Sequence, residues 1–164
     1  MNLLITVLVA MILCHLIADY PLQGWLAQAK TKSYWQNGPA KNKHDWIAAL
    51  IAHATMWSII VMIPMLVASK MELGWAWLVL PFNIIGHVII DHGKANKHTI
   101  NLIEDQLMHL VQILLSWGLW AYTCLDNRVA YLIGTGVTFG YFIIKLVIDI
   151  ILELKRDIKQ QNIK

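Results

Sequence analysis

Long apolar runs alternate with short polar segments along this chain. About five such runs are present, over residues 3–18, 46–68, 75–90, 107–122 and 131–154. A membrane-spanning helix needs roughly 20 mostly apolar residues, and its backbone polar groups must bond to one another in lipid. The runs do not alternate between apolar and polar positions as the strands of a β-barrel would. The pattern therefore predicts an all-α fold, a polytopic transmembrane bundle of about five helices.

Composition supports a membrane protein with almost no soluble part. Hydrophobic residues make up 58% of the 164 residues and charged residues 14%, whereas soluble domains are about half apolar and a quarter charged. We expect a single transmembrane domain over residues 1–164. The formal charge is only +3 and the cations form no dense stripe, so nucleic acid is not an expected partner. The expected partner is membrane lipid.

The basic residues predict how the bundle is oriented. They concentrate in the first loop, the third loop and the C-terminal tail, at Lys30, Lys32, Lys41, Lys43, Lys94, Lys97, Lys155, Arg156, Lys159 and Lys164. Cytoplasmic loops carry an excess of Lys and Arg. We therefore predict an N-out/C-in protein of the bacterial cytoplasmic (inner) membrane. From about residue 155 the tail would form an amphipathic helix on the cytoplasmic surface.

Histidine and aspartate recur in pairs at the helix ends predicted to be cytoplasmic. His15 and Asp19, His87 and Asp91, and Asp105 and His109 are each four residues apart, so each pair occupies one helix face. The order is reversed in the third pair, as a helix running the opposite way requires. Three of the runs reach spanning length only if these ionisable ends are included. Ionisable residues inside a membrane usually mark a functional site.

Imidazole and carboxylate together favour a divalent metal, with zinc as the first choice and manganese or iron as alternatives. The predicted metal ligands are His15, Asp19, His53, His87, Asp91, Asp105 and His109. The predicted catalytic residues are Asp45, Lys94 and Gln106. Lys94 would attract an anion, and Gln106 would be a donor behind the ligands. These donors are more than one tetrahedral metal ion can bind. Two metals would therefore fit, as would one metal with a general base.

The strings HLIADYPLQ, HVIIDHGK and EDQLMHL resemble a family of small bacterial and phage membrane proteins of unknown function. The chain is also similar to predicted membrane-bound metal-dependent hydrolases, which carry comparable His-x-x-x-Asp pairs on helices. The resemblance extends from His15 to about His109. It covers His15, Asp19, Gln23, His53, His87, Asp91, Lys94, Asp105, Gln106 and His109. It implies a shared polar site and brings no established substrate.

The sequence is compatible with three functions. The first is a membrane-embedded metal-dependent hydrolase acting at the cytoplasmic headgroup level, on a lipid-linked phosphate ester as the leading guess. The second is a protein that translocates protons or metal ions, for which a homo-oligomer could supply a missing repeat. The third is a non-catalytic phage or bacterial accessory protein with a structural metal.

Overall fold

The structure, a computed structural model, describes residues 2–36 and 42–161, with side chains as far as residue 145 and at Ile148. The helices of this part are α1 (Leu3–Asp19), α2 (Leu26–Ala29), α3 (Lys32–Gln36), α4 (Asp45–Ala68), α5 (Ala76–His92), α6 (Leu102–Leu125) and α7 (Arg128–Gln161). A π-helical turn, Gly93–Lys97, continues α5. No strand occurs within these ranges, which confirms the all-α prediction. Lys41, Lys164 and the side chains of Lys155, Arg156 and Lys159 lie outside the described residues.

All the predicted apolar runs form helices, but not all are equally suited to crossing a membrane. Within the part of the chain that the structure describes, three segments are long and apolar enough, namely Asp45–Ala68, Ala76–Lys97 and Leu102–Leu125. Helix α1 is apolar but has 17 residues, so it is about 26 Å long against a hydrocarbon core of about 30 Å. The structure therefore supports a membrane protein with three clear spans. Five spans and the N-out orientation stay predictions.

The distribution of side chains is the reverse of that in a soluble protein. Ile51, Leu78 and Phe139 are among many large apolar side chains that face outward, with 47%, 68% and 70% of their surface exposed. Asp91 and Asp105, in contrast, are 1% and 0% exposed. An outer surface this apolar is stable in lipid and would aggregate in water. The helices thus turn their charged groups toward one another.

Four helices build the bundle and a fifth packs on its outside. Helix α1 packs against α4 and α6, α4 against α5, and α5 against α6, while α7 contacts α6. Trp57 and Trp120 are fully buried in the apolar part of the interior. One turn from the ionisable residues, Gln112 of α6 donates to the Asn83 backbone carbonyl of α5 (2.7 Å). This bond fixes the register of the two helices that carry most of the charged groups.

The close contact between α6 and α7 depends on Gly118 and Gly134 and not on the GxxxG pair of α7. Gly136 and Gly140 form a GxxxG motif, which predicts close helix packing, but a Cβ at either would meet nothing within 4 Å. The helices instead approach at Gly118 and Gly134, whose Cα atoms lie so near that a Cβ on Gly134 would be 2.6 Å from the Leu114 carbonyl oxygen. The GxxxG motif therefore lies in the helix that makes the close contact, but its own two glycines do not make it.

Replacing Gly134 by alanine should destabilise the protein, because the added methyl group collides with the α6 backbone, which cannot move aside. We expect a loss of about 1–3 kcal/mol, as for other overpacked interiors, seen as a lower melting temperature in detergent. Gly136→Ala is the matched control and should leave the melting temperature unchanged or slightly raised. Equal melting temperatures for the two variants would contradict the observed crossing point.

Candidate metal centre

The predicted metal ligands come together at one end of the four-helix bundle. They are supplied by α1, α4, α5 and α6, and each is at most 8% exposed: His15, Asp19, His53, His87, Asp91, Asp105 and His109. The sequence therefore predicted the convergence of these residues, although they are distributed over almost a hundred positions. Whether they bind a metal stays a prediction.

Asp91 lies at the centre of the cluster. Its Oδ2 atom is 3.4 Å from Nε2 of His53 and 3.4 Å from Nε2 of His87. Its Oδ1 atom is 3.5 Å from Nε2 of His109. One carboxylate thus faces histidines from three different helices, counting its own. It links α4, α5 and α6 through their polar side chains.

Two further carboxylates lie on the outer sides of these histidines. Asp19 Oδ1 is 3.4 Å from His53 Nε2, and Asp105 Oδ1 is 3.6 Å from His109 Nε2. Three overlapping groups result, in each of which the ligand atoms lie within 4.8 Å of one another. They are Asp19–His53–His87, His87–Asp91–His109 and Asp19–Asp105–His109.

Several of these atoms are buried without a hydrogen-bond partner. Nε2 of His87, Nε2 of His109 and Oδ1 of Asp105 have none, although an unpaired buried polar atom costs about 1–3 kcal/mol. Their spacing fits a shared cation. Ligands about 2.1 Å from a tetrahedral zinc ion lie about 3.4 Å apart, close to the distances between these imidazoles and carboxylates. The geometry is therefore able to hold a metal ion.

His15 lies in the cluster but has a different position from the other histidines. Its Nδ1 accepts a hydrogen bond from the Trp57 indole (2.9 Å), and its Nε2 is 3.1 Å from Oε1 of Gln106. Because Nδ1 accepts, Nε2 carries the proton and donates to Gln106. Both ring nitrogens are therefore occupied, and in this arrangement His15 positions Gln106 and has no lone pair free for a metal.

Gln106, predicted to be catalytic, connects two of the carboxylates. Its Nε2 donates to Oδ2 of Asp19 (3.1 Å) and to Oδ2 of Asp105 (3.0 Å). These bonds leave the other oxygen of each acid directed at a histidine. Orientation of this kind by residues behind the ligands is usual in metal sites. Gln106 therefore lies behind the two carboxylates, and its predicted part in catalysis stays a prediction.

A cavity of about 300 Å³ opens beside the cluster. Its lining includes Asp19 and Asp91 together with Gln23, Lys30 and Lys94, and we call it the acid–lysine cavity. Lys30 Nζ is 2.6 Å from Oδ2 of Asp91, and Lys94 Nζ is 2.5 Å from Oδ2 of Asp105. Two ammonium groups thus line the cavity, and each is paired with a carboxylate of the cluster. An anion entering the cavity would meet both.

The third residue predicted to be catalytic, Asp45, is not part of the cluster. It is exposed in the first turn of α4, eight residues before His53 and therefore about 12 Å away along the helix. The sequence predicted that Asp45 and His53 share a helix face, but Asp45 is exposed whereas His53 is fully buried, and about two helical turns separate them. The structure does not bring Asp45 to the metal ligands.

Local structure explains how Asp105 and Lys30 reach the cluster. Asn101 and Glu104 form a capping box at the start of α6, so the first turn, which contains Asp105, is fixed. On the other side, the Asn96 side chain in the π turn donates to the Lys30 carbonyl (3.1 Å) and accepts from the Lys32 amide (2.7 Å). Asn96 therefore holds the segment that carries Lys30 against α5.

Sequence reasoning missed Lys30, Asn96 and Trp57 as parts of the site. Trp57 was detectable, since it follows His53 by four residues and shares its helix face. Lys30 and Asn96 lie between the main helices, where no periodicity indicates which way a side chain points. Their roles depend on a contact between segments 66 residues apart.

Comparison with known proteins identifies a family. A family model described as "Protein of unknown function (DUF3307)" matches residues 7–134, which include every ligand of the cluster. No curated protein and no solved structure gives a significant match.

We expect His87→Ala and His109→Ala to contain less metal than the wild-type protein, because each removes an imidazole nitrogen that faces carboxylates and has no hydrogen-bond partner. Metal analysis of the protein, purified in detergent without chelator, tests this. His44→Ala is the control, since His44 is exposed at the start of α4, and it should keep the native metal content. Full metal occupancy in both cluster variants would contradict the assignment.

Proposed function

The chain belongs to the DUF3307 family of proteins of unknown function, and we propose that it is a membrane-embedded metal-dependent hydrolase. Its substrate would be a phosphate ester linked to a lipid, cleaved at the level of the cytoplasmic headgroups. The observation that carries this proposal is the placement of buried, unpaired His and Asp atoms next to a cavity that also contains two lysines.

The donor set supports a catalytic rather than a purely structural metal. Structural zinc sites are closed by four protein ligands, often thiolates, whereas catalytic sites combine His and carboxylates with an open position. Here Asp19 and Asp91 line the acid–lysine cavity, so one side of the donor set is open. A bound metal would polarise a phosphoryl oxygen and make water more acidic. Zinc is the metal that we propose.

The lysines support a phosphorylated substrate. Lys30 and Lys94 both reach the cavity, and their side chains are 9% and 34% exposed. An ammonium group in so restricted a space binds a phosphate oxygen through a charge-assisted hydrogen bond. The carboxylates of Asp91 and Asp105 bind these two ammonium groups and so compete with a phosphate for them. A metal that binds the carboxylates would therefore release the lysines to bind the anion.

The reaction that follows is ordinary ester hydrolysis. A water oxygen attacks phosphorus, and a carboxylate of the cluster takes up the proton that the water releases. The bond between phosphorus and the lipid oxygen breaks, and that oxygen receives the proton from the carboxylate, which returns to its ionised form. The products are a lipid alcohol and inorganic phosphate. Gln106 keeps Asp19 and Asp105 in place during these steps.

The depth of the site supports a lipid substrate. The predicted ligands lie in about the last two turns of α1 and α5, the first two turns of α6 and the third turn of α4, within or next to segments able to cross a membrane. The cavity includes Tyr20 and Thr31, from the polar stretch that follows α1. A phosphate headgroup in a bilayer lies at this boundary between helix ends and loops. A lipid would therefore bring its phosphate to the cavity without leaving the membrane.

Hydrolysis of phosphatidic acid in mixed micelles, followed by release of inorganic phosphate, tests the proposal. We expect turnover that stops with chelator and returns with zinc. Lys94→Ala should raise KM by about ten- to a hundredfold, since a charge-assisted contact contributes about 1.5–3 kcal/mol. Lys97→Ala removes the same charge from an exposed position of the same turn and should leave KM unchanged. Absence of zinc-dependent turnover of any lipid phosphate would overturn the proposal.

Orientation provides a separate test. If the site faces the cytoplasm, reporter fusions after Lys32 and at Lys164 should both report a cytoplasmic location, because loop one and the tail carry the excess of cations. A fusion after Asp126, beyond the opposite end of α6, is the control and should report the outside. A periplasmic signal at Lys32 would place the cavity on the outer face of the membrane.

A relay for protons or ions is the second candidate, and a particular observation favours it. Beyond His87 and His109, the buried polar residues continue into the bundle: Ser116 donates to Oδ1 of Asn83 (2.8 Å), as does Gln112 (3.1 Å). Asn83 Nδ2 and Gln112 Oε1 remain unpaired. Flux of protons or zinc in proteoliposomes, lost in Gln112→Leu, would favour the relay over the hydrolase.

A further inference from the structure

The cluster contains more ligands than one metal ion uses. With His15 set aside, three imidazoles and three carboxylates remain, and all are buried: Asp19, His53, His87, Asp91, Asp105 and His109. A tetrahedral zinc ion takes four ligands. Hydrogen bonds do not satisfy the remaining ligand atoms, since His87 Nε2, His109 Nε2 and Asp105 Oδ1 have no hydrogen-bond partner. A single ion would leave some of these atoms unsatisfied.

Two of the three groups of ligand atoms share only Asp19, and Asp91 contacts a histidine of each. One set is Asp19, His53 and His87, and the other is Asp19, Asp105 and His109; in each, the ligand atoms lie within 4.8 Å of one another. Asp91 contacts both sets with different oxygens. Oδ2 faces His53 and His87, both at 3.4 Å, whereas Oδ1 faces His109 at 3.5 Å.

We propose that the protein holds two divalent metal ions bridged by the Asp91 carboxylate. This inference rests on the metal centre proposed above and specifies its composition. The first ion binds His53 and His87, the second binds His109 and Asp105, and Asp19 belongs to both sets. Paired ions in hydrolytic sites lie about 3.5–4 Å apart and stabilise both the attacking and the leaving oxygen of a phosphoryl group.

The existing contacts of these atoms are compatible with two ions. Lys30 and Lys94 bind Oδ2 of Asp91 and of Asp105, and a carboxylate oxygen has a second lone pair for a metal. The amide of Gln23 lies 3.0 Å from His53 Nε2 and competes for that lone pair. Gln23 lines the cavity, so it has space to turn away when a metal binds.

Charge balance identifies the class of substrate. With neutral imidazoles, the three buried carboxylates exceed the ammonium groups of Lys30 and Lys94 by one negative charge. Buried charge that lacks a partner is unfavourable. Two divalent ions would reverse the sign and leave an excess of positive charge facing the cavity. That excess is best neutralised by a dianion, so the site favours a terminal phosphate monoester over a phosphodiester.

The metal content per chain tests this inference independently of activity. Wild-type protein, reconstituted with zinc in detergent and freed of excess ions, should contain about two ions per chain. His53→Ala and His109→Ala should each retain about one, because each removes a ligand of a different set, and the double variant should retain none. His44→Ala should retain the wild-type content.

A spectroscopic measurement on the wild-type protein makes the test independent of how the variants fold. With manganese in place of zinc, the electron paramagnetic resonance spectrum should show two exchange-coupled ions, and the signal of an isolated ion should replace it in His53→Ala. One ion per wild-type chain, with no coupling, would overturn the two-metal inference and leave the hydrolase proposal standing. A chain that binds no metal would overturn both.

Discussion

The burial of the Asp91 carboxylate is the constraint on which the rest of the structure depends. Transfer of an unpaired charge into a bundle surrounded by lipid is very unfavourable, so each neighbouring element contributes a group that opposes it. Helix α4 supplies His53, α6 supplies His109, and the segment after α2 supplies Lys30. The positions of these elements are therefore correlated, and a displacement of any of them would leave the carboxylate exposed to an apolar environment.

This constraint explains how the described segments between the long helices are positioned at this end of the bundle. Lys30 reaches Asp91 only because Asn96 holds its backbone, and Asn96 is placed by the π turn that continues α5. Single π turns in helices occur most often at functional sites. At the opposite end, the bundle is held by apolar side chains such as Trp120 and by the contact of Gly118 with Gly134, which involve no charge.

The sequence predicted the helices and the meeting of the ligands because both are expressed through helical periodicity. A pair such as His87 and Asp91 shares a face whatever surrounds it, and lipid leaves the interior as the only place for that face. The sequence did not predict that the Trp57 indole would donate to His15 Nδ1, or that Asp45 would lie two helical turns from His53. Those outcomes depend on the relative depth and rotation of neighbouring helices, which packing determines and periodicity does not.

Rigid placement of buried donors also bears on why the site would be catalytic. If the only task of a metal were to hold α1, α4, α5 and α6 together, an apolar interior would do so without the cost of burying three acids. The cluster instead exposes Asp19 and Asp91 to a cavity and places Lys30 and Lys94 beside them. Polar groups preorganised around a space largely free of water are what stabilises charge that develops during a reaction. The burial of these charges beside the cavity therefore supports the proposed reaction.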